Sequence, residues 1–322
     1  MENSAHPLPV PGRVRARALL FGAGVLFGLS AVLAKLASRG GPVSGGQVTP
    51  VAMSGGQVTL VRFLVGLLAV GVLFVVRPGT FRPVRYGLLA SRGLFGGIAA
   101  LLYFLSLSLI PAGEATLLNN TFPIFAVVIS FFLLGERPTI HLAVALLIAS
   151  AGVFLVLGGG ELRLGLGAGE LLGLASAAFG GAAVTSIRAL RATDNAPTIF
   201  FAMALGGVLV SLPFGLGPWP GEATPWLAAG GVGLVAFLAQ LLMTEAYGAL
   251  SIAEAALWQQ LTPIASYAWA LSIGERLTGV AAVGVLLGIA GVVYGSLLGH
   301  RSRPGTDPAL REAAAGLPTE EP

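Results

Sequence analysis

The chain contains no cysteine, which excludes disulfides, thiolate metal sites and a thiol nucleophile. Its three histidines, His6, His141 and His300, lie far apart and have no metal-ligand spacing. Charged residues are also scarce, at 10% of the 322 residues, against about a quarter in soluble domains. With 55% hydrophobic residues and a mean hydropathy of +0.87, this composition indicates an integral membrane protein.

Motifs for enzyme chemistry are missing as well. The sequence has no phosphate-binding loop of the nucleotide hydrolases, so it does not predict an ATP-driven pump. Paired acids, a histidine cluster or an activated serine inside an apolar segment would indicate a membrane enzyme, and none has the required spacing. We therefore expect a protein that is not an enzyme and that needs no cofactor.

One stretch of the chain occurs twice. EATLLNNTFPI at 114–124 is echoed by EAALWQQLTPI at 254–264, and each copy is followed by an apolar run and then by Gly-Glu-Arg. An internal repeat of this length decides the architecture. If each copy crosses the membrane an odd number of times, the second copy is inverted relative to the first, which is typical of transporters.

Ten apolar segments are long enough for membrane-spanning helices, which need about 20 residues. They lie at 16–38, 58–76, 88–110, 114–134, 140–158, 169–190, 196–214, 226–248, 252–273 and 278–298. The sequence therefore predicts an all-α integral membrane protein with ten transmembrane helices in two inverted five-helix repeats, at 16–158 and 169–299. We expect a tail at 1–15, a flexible loop at 39–57 and a disordered tail at 300–322.

Basic residues favour the loops on one side. Twelve arginines fall on that side, and only Arg39, Arg163 and Arg276 fall on the other. The positive-inside rule then makes the first side cytoplasmic, together with both termini. We predict a multi-pass protein of the cell membrane, of the bacterial inner-membrane kind, surrounded by lipid. The sequence pI near 10 reflects this loop bias, so no nucleic-acid partner is expected.

Several segments together resemble one family. FGLS at 27–30 followed by Lys35, Arg62-Phe63 in the second span, GELL at 169–172 and the paired repeat stretches resemble the EamA-type family of the drug/metabolite transporter superfamily. The resemblance covers roughly residues 16–299. It implies a ten-helix carrier built from two inverted five-helix repeats around a central cavity, most often exporting small metabolites such as amino acids.

Two amide pairs are the first candidates for lining a substrate cavity. Asn119-Asn120 and Gln259-Gln260 lie three to four residues before a proline, at corresponding positions of the two repeats. Substrate sites of inverted-repeat carriers lie near the midplane, often at interrupted helices. The alternative is that these amides hydrogen-bond between helices. Trp258 and Tyr103 could add an aromatic wall, although packing or an interfacial position would also explain each of them.

Three charged residues complete the candidate site. Lys35, the only lysine, lies near the end of the first span, and Arg62 lies about one turn into the second from the same side. Either could bind a carboxylate, or Lys35 could reach the interface and Arg62 could be structural. Alignment of the repeats places Ile187 opposite Lys35. Glu245 is the candidate for proton coupling, with an ion pair to Arg188 as the alternative.

The leading hypothesis is a secondary transporter that exports a small metabolite such as an amino acid by alternating access between two repeats. Lys35 and Arg62 favour a carboxylate, Glu245 and the aromatic residues favour a cation, and both together suit a zwitterion. The alternatives are proton-coupled efflux of drugs or organic cations and a non-transporting membrane subunit. The first predicted span contains no acid, which disfavours the coupling mechanism of the smaller multidrug members of the superfamily.

Overall fold

The computed structural model describes residues 11–37, 53–110, 112–158, 167–272 and 278–298. Its α-helices are α1 (Arg13–Ala37), α2 (Gly55–Val76), α3 (Tyr86–Leu109), α4 (Ala112–Asn119), α5 (Phe122–Leu134), α6 (Ile140–Gly158), α7 (Ala168–Leu190), α8 (Ala196–Ser211), α9 (Ala223–Ala246), α10 (Ile252–Gln259), α11 (Leu261–Leu271) and α12 (Gly279–Leu298). The predicted C-terminal tail, residues 1–10, residues 38–52, Arg163 and Glu275-Arg276 lie outside the described residues.

The apolar helices match the predicted membrane architecture. Nine stretches of the described chain are long and apolar enough to cross a membrane. α10 and α11 together supply the tenth apolar segment. The prediction of an all-α membrane protein with two five-helix repeats is therefore confirmed.

Two predicted spans are interrupted helices. The fourth, expected as one helix over 114–134, consists of α4 and α5, and the ninth, expected over 252–273, consists of α10 and α11. The physical reason is a proline three residues after each break, because proline lacks an N–H and disfavours helical geometry in the residue before it. Pro123 and Pro263 each lie in the first turn of the following helix, where proline is tolerated.

The second span begins earlier than predicted. Residues 55–57, expected to belong to a flexible loop, form the first turn of α2. The Ser54 hydroxyl accepts a hydrogen bond from the backbone nitrogen of Gln57 at 3.2 Å, and the Gln57 side chain accepts one from the Ser54 backbone at 2.9 Å. This reciprocal capping box satisfies two N–H groups that a helix start would otherwise leave unpaired.

Helix packing in one half is repeated in the other. α1 packs against α9 and α11, and its counterpart α7 packs against α3 and α5. The last helices of the two halves, α6 and α12, pack against each other, as do α2 and α8. Each of these contacts therefore has an equivalent with the halves exchanged. This is the arrangement expected of two related five-helix units, and an odd number of spans inverts one unit relative to the other.

Two glycines show where the repeats correspond. A Cβ atom on Gly28 would lie 2.7 Å from the backbone nitrogen of Ser266 in α11, and one on Gly181 would lie 2.7 Å from that of Ala126 in α5. No side chain fits at either crossing, so both positions require glycine. Counting from these equivalent glycines places Arg188 opposite Lys35. The alignment that placed Ile187 there is wrong by one residue, because it lacked this packing constraint.

One end of the bundle collects arginines, and we refer to it as the basic end. It comprises the starts of α1, α3, α6, α8 and α10 and the ends of α2, α5, α7, α9 and α12, and it includes Arg17, Arg82, Arg85, Arg188 and Arg191. A buried apolar cluster contacts these helices there, with Ala16, Leu20, Ile187, Leu250 and Ile252 almost fully enclosed. The basic end is therefore densely packed.

Candidate substrate site

The two helix interruptions bring backbone turns into the middle of apolar spans. The backbone nitrogen of Thr121 donates to the carbonyl of Leu118 at 3.1 Å, and that of Gln260 donates to the carbonyl of Leu257 at 3.2 Å. These bonds replace the regular helical pattern for one turn. Irregular backbone at membrane depth is tolerated where protein encloses it or where it lines a cavity.

Asn119 and Gln260 bond to neighbouring helices. The amide nitrogen of Asn119 donates to the Ser176 hydroxyl of α7 at 2.6 Å, and that of Gln260 donates to the Ser150 hydroxyl of α6 at 2.8 Å. Gln260 is only 1% exposed, and its Oε1 has no hydrogen-bond partner among the described residues. Both side chains make the interhelical contact that was the alternative reading. Their role in binding substrate remains a prediction.

Asn120 and Gln259 have a different environment. Among the described residues, the Asn120 amide donates within its own turn, to the carbonyl of Thr116 at 2.8 Å. The Gln259 amide donates to the hydroxyl of Tyr247 at 2.6 Å. Both amides are half-buried, so part of each remains accessible beside the interruption. They are the better placed pair for contact with a ligand.

The two candidate aromatic residues lie on helices next to the interruptions. The Tyr103 hydroxyl of α3 shares a hydrogen bond of 2.9 Å with the Thr116 hydroxyl of α4. Trp258 packs against two buried apolar clusters, and its Nε1 is buried without a hydrogen-bond partner in the described part of the chain. An indole N–H usually finds a partner when it is buried, so this donor is available to a ligand.

Lys35 and Arg62 lie at different depths. Lys35 is exposed and is two residues from the end of α1. Because α2 begins at Gly55, Arg62 lies about 10 Å from the start of that helix, roughly two turns rather than the one expected. Its guanidinium carbon lies 5.1 Å from the centre of the Phe63 ring, and the side chain is half-buried.

Arg92 is a buried arginine that the sequence reasoning missed. It lies about 9 Å inside α3 and is 3% exposed. Its Nη2 contacts the Met203 sulfur at 2.9 Å and the Gln240 Oε1 at 3.4 Å, while its Nε has no partner among the described residues. Arg62 lies near the same place, because Phe63, over whose ring its guanidinium sits, packs in one buried cluster with Met203. A charge at mid-membrane costs at least about 2.5 kcal/mol on insertion scales, so this position requires an explanation.

A signal for Arg92 was present in the sequence. It is an arginine four residues inside the predicted span 88–110, outside every loop that the charge bias counts. Ionisable residues inside a span are functional candidates by default. Only packing, however, could distinguish an enclosed Arg92 from a side chain that reaches the interface from the first turns of α3.

The carboxylates at the basic end are paired with arginines. Glu245 Oε1 lies 3.1 Å from Nη2 of Arg191, so its partner is Arg191 and not the expected Arg188. Burial lowers the pKa of Arg191, while Glu245 opposes this shift. Glu136 bonds to Nε of Arg188 at 3.1 Å, and Glu254 to Arg17 at 2.7 Å. The proton-coupling role of Glu245 remains a prediction.

The inverted repeats with interrupted spans give this protein the architecture of a membrane carrier. The EamA-like transporter family matches residues 15–158 and 167–296. The chain belongs to this family.

Two curated relatives are each named Pseudopaline exporter CntI, from Pseudomonas aeruginosa strains UCBPP-PA14 and PAO1. Each is 26% identical to this chain over 195 residues, which cover 59% of this chain and 68% of the relative. A solved crystal structure with 21% identity covers 90% of this chain and 99% of its own length with a TM-score of 0.73, which indicates the same fold.

Proposed function

We propose that this protein is a secondary transporter that exports a small metabolite, such as an amino acid or a related compound, by alternating access between its two repeats. The observation that carries the proposal is the pair of interrupted spans, each with a half-buried amide at its interruption, Asn120 in the first repeat and Gln259 in the second. Unwound segments at repeat interfaces supply polar contacts for a substrate in carriers of this architecture.

The contacts at the two ends of the bundle support alternating access. α10 packs against α5, where Oε2 of Glu136 accepts a hydrogen bond from the Ile252 backbone at 2.8 Å. The repeat counterparts α4 and α11 have no comparable packing among the described residues. A carrier closed at one end and less tightly packed at the other corresponds to one state of an alternating cycle.

The basic end is proposed to be cytoplasmic. Arginines are concentrated at this end, as the positive-inside rule expects of the cytoplasmic side, and both termini are assigned to the same side. In this orientation the structure is closed towards the cytoplasm. The names of the two Pseudomonas aeruginosa relatives support export as the direction of transport.

Proton-coupled efflux of an organic cation is the second candidate. It rests on Glu245, which is 33% exposed and could release Arg191 on protonation. The ion pair also has a purely structural explanation, since it links α7 to the end of α9. Metabolite export is therefore the better supported function.

The test compares cells that express the protein with cells that carry an empty vector. Extracellular small molecules would be profiled by mass spectrometry, with the Asn120→Ala and Gln259→Ala variants and a Gly230→Ala control, since a Cβ on Gly230 meets no atom within 4 Å. We expect at least one metabolite to accumulate outside with the wild type and the control, and about tenfold less of it with either amide variant.

Other outcomes separate the alternatives. Profiles identical to the empty vector would contradict a transporter and would favour a non-transporting membrane subunit. Accumulation of organic cations that depends on the pH gradient and is lost in Glu245→Gln would favour proton-coupled efflux instead.

A further inference from the structure

The described arginines that are buried or half-buried fall into two groups. At the basic end, Arg17, Arg188 and Arg191 each bond to a carboxylate, namely Glu254, Glu136 and Glu245. Arg62 and Arg92 lie deeper, and no carboxylate pairs with either among the described residues. The arginines that hold helices together at the basic end are therefore neutralised, whereas Arg62 of α2 and Arg92 of α3, which both lie beside the Phe63–Met203 cluster, have no such counter-charge.

The surroundings of this pair are neutral and polar. Gln240 of α9 lies 3.4 Å from Arg92, and Tyr247 lies at the end of the same helix. Tyr247 also accepts the hydrogen bond from Gln259 at the interruption of α10. The two arginines are thus connected to the candidate substrate site through side chains of α9 and α10.

The pair has unused binding capacity. Arg92 is 3% exposed, yet its Nε has no partner in the described part of the chain. Its Nη2 contacts the Met203 sulfur, which is a weak acceptor. An unpaired buried polar group is costly, and two repelling charges increase that cost. A carboxylate would satisfy the free N–H groups and cancel the repulsion, because guanidinium and carboxylate match in geometry.

We propose that Arg62 and Arg92 together form an anion subsite that binds a carboxylate of the transported metabolite. This proposal rests on the proposed function and specifies its substrate class. The half-buried Arg62 provides the more accessible cation, and the enclosed Arg92 provides the second one. The amides of Gln240 and Gln259 and the hydroxyl of Tyr247 then contact uncharged polar groups of the same molecule. The exported compounds carry one carboxylate or more and are not simple cations.

The experiment determines whether the exported metabolites contain carboxylates. Cells would express the wild type, Arg62→Gln, Arg92→Gln, Arg92→Lys and the control Arg85→Gln, which makes the same chemical change at an exposed position of the basic end. Membrane levels and gel-filtration profiles of each variant would be measured in parallel. Extracellular compounds that depend on the wild type would then be identified by mass spectrometry, and the carboxylates in each structure would be counted.

We expect the exported compounds to carry carboxylates and to fall about tenfold or more in Arg62→Gln and Arg92→Gln, but not in Arg85→Gln. Arg92→Lys should give an intermediate extracellular level of these compounds, because lysine keeps the positive charge but cannot bind a carboxylate in the bidentate geometry. If Arg92→Gln fails to reach the membrane, Arg62→Gln and Arg92→Lys still decide the question.

Export of compounds that contain no carboxylate, and of no others, would overturn the anion subsite and leave the exporter proposal intact. The same holds for carboxylates whose export survives both glutamine variants. If no compound distinguishes the wild type from the empty vector, the exporter proposal itself fails, and the anion subsite fails with it.

Discussion

Amide side chains at the two interruptions differ in what they hold together. The Gln260 amide connects α10 with α6 through Ser150. The Asn119 amide reaches Ser176 of α7, and the Ser176 hydroxyl donates in turn to the carbonyl of Ala99 in α3 at 2.9 Å. Ser176 therefore connects three helices, whereas the bond between Gln260 and Ser150 connects two.

This difference predicts unequal stability losses. Interhelical hydrogen bonds in membrane proteins average about 0.6 kcal/mol and reach about 1.7 kcal/mol. We expect Ser150→Ala to cost about 0.6 kcal/mol and Ser176→Ala to approach the upper value, because Ser176 loses a donor and an acceptor contact. Unfolding free energies in bicelles, with double-mutant cycles against Gln260→Ala and Asn119→Ala, would measure both. Zero coupling in both cycles would contradict the interhelical role.

Sequence reasoning could find the amides but not their partners. The repeat marks Asn119, Asn120, Gln259 and Gln260 as corresponding positions. Ser150 and Ser176 lie 110 and 57 residues away from the amides that they bond, in helices whose order of packing no local pattern encodes. Arg92 was missed for a related reason, because its enclosure depends on Met203 of α8 and Gln240 of α9.

At the scale of the helix, the two interrupted spans show what proline does to helix continuity within an apolar segment. Each of the two segments was predicted as one continuous helix although it contains a proline, and each has an interruption. Their position before the proline follows from the steric restriction on the preceding residue. The second span was different, because its first turn depends on Ser54 and Gln57. These residues belong to the stretch SGGQVT at 54–59, which also occurs at 44–49, and residues 39–57 were predicted to be a flexible loop. At the start of α2, the capping box of Ser54 and Gln57 stabilises a helical turn in residues whose composition predicted a loop.

The equivalent glycines give a prediction for helix crossings. Gly28→Ala and Gly181→Ala should each destabilise the protein by about 1–3 kcal/mol, because the added methyl meets the backbone of the facing helix. Gly230→Ala in α9 is the matched control and should be nearly neutral, since its methyl has free space. Thermal unfolding of the three variants in one detergent would test this. Equal midpoints for all three would refute the close approach.

Closure of the whole molecule at the basic end depends on few groups. Glu136, which follows the end of α5, accepts hydrogen bonds from Arg188 of α7 and from the first N–H of α10. It therefore links three helices from both repeats with one side chain. A left-handed Gly135, with φ of 67°, ends α5 and directs Glu136 towards that site. If the repeats move against each other, this contact has to break.

Glu136→Ala should therefore open the basic end. The protein has no cysteine, so one introduced cysteine reports access without background. Leu250→Cys replaces a side chain that is 0% exposed in the apolar cluster of that end. In inverted membrane vesicles, an impermeant maleimide should label it about tenfold faster when Glu136→Ala is added, because that change removes two charge-assisted bonds. Glu222→Ala, which is exposed at the start of α9 at the opposite end, is the control and should leave the rate unchanged.

Arg85→Cys should react in inverted vesicles and not in intact cells, which tests that the basic end is cytoplasmic. An unchanged Leu250→Cys rate alongside a reactive Arg85→Cys would mean that apolar packing, rather than Glu136, keeps this end closed.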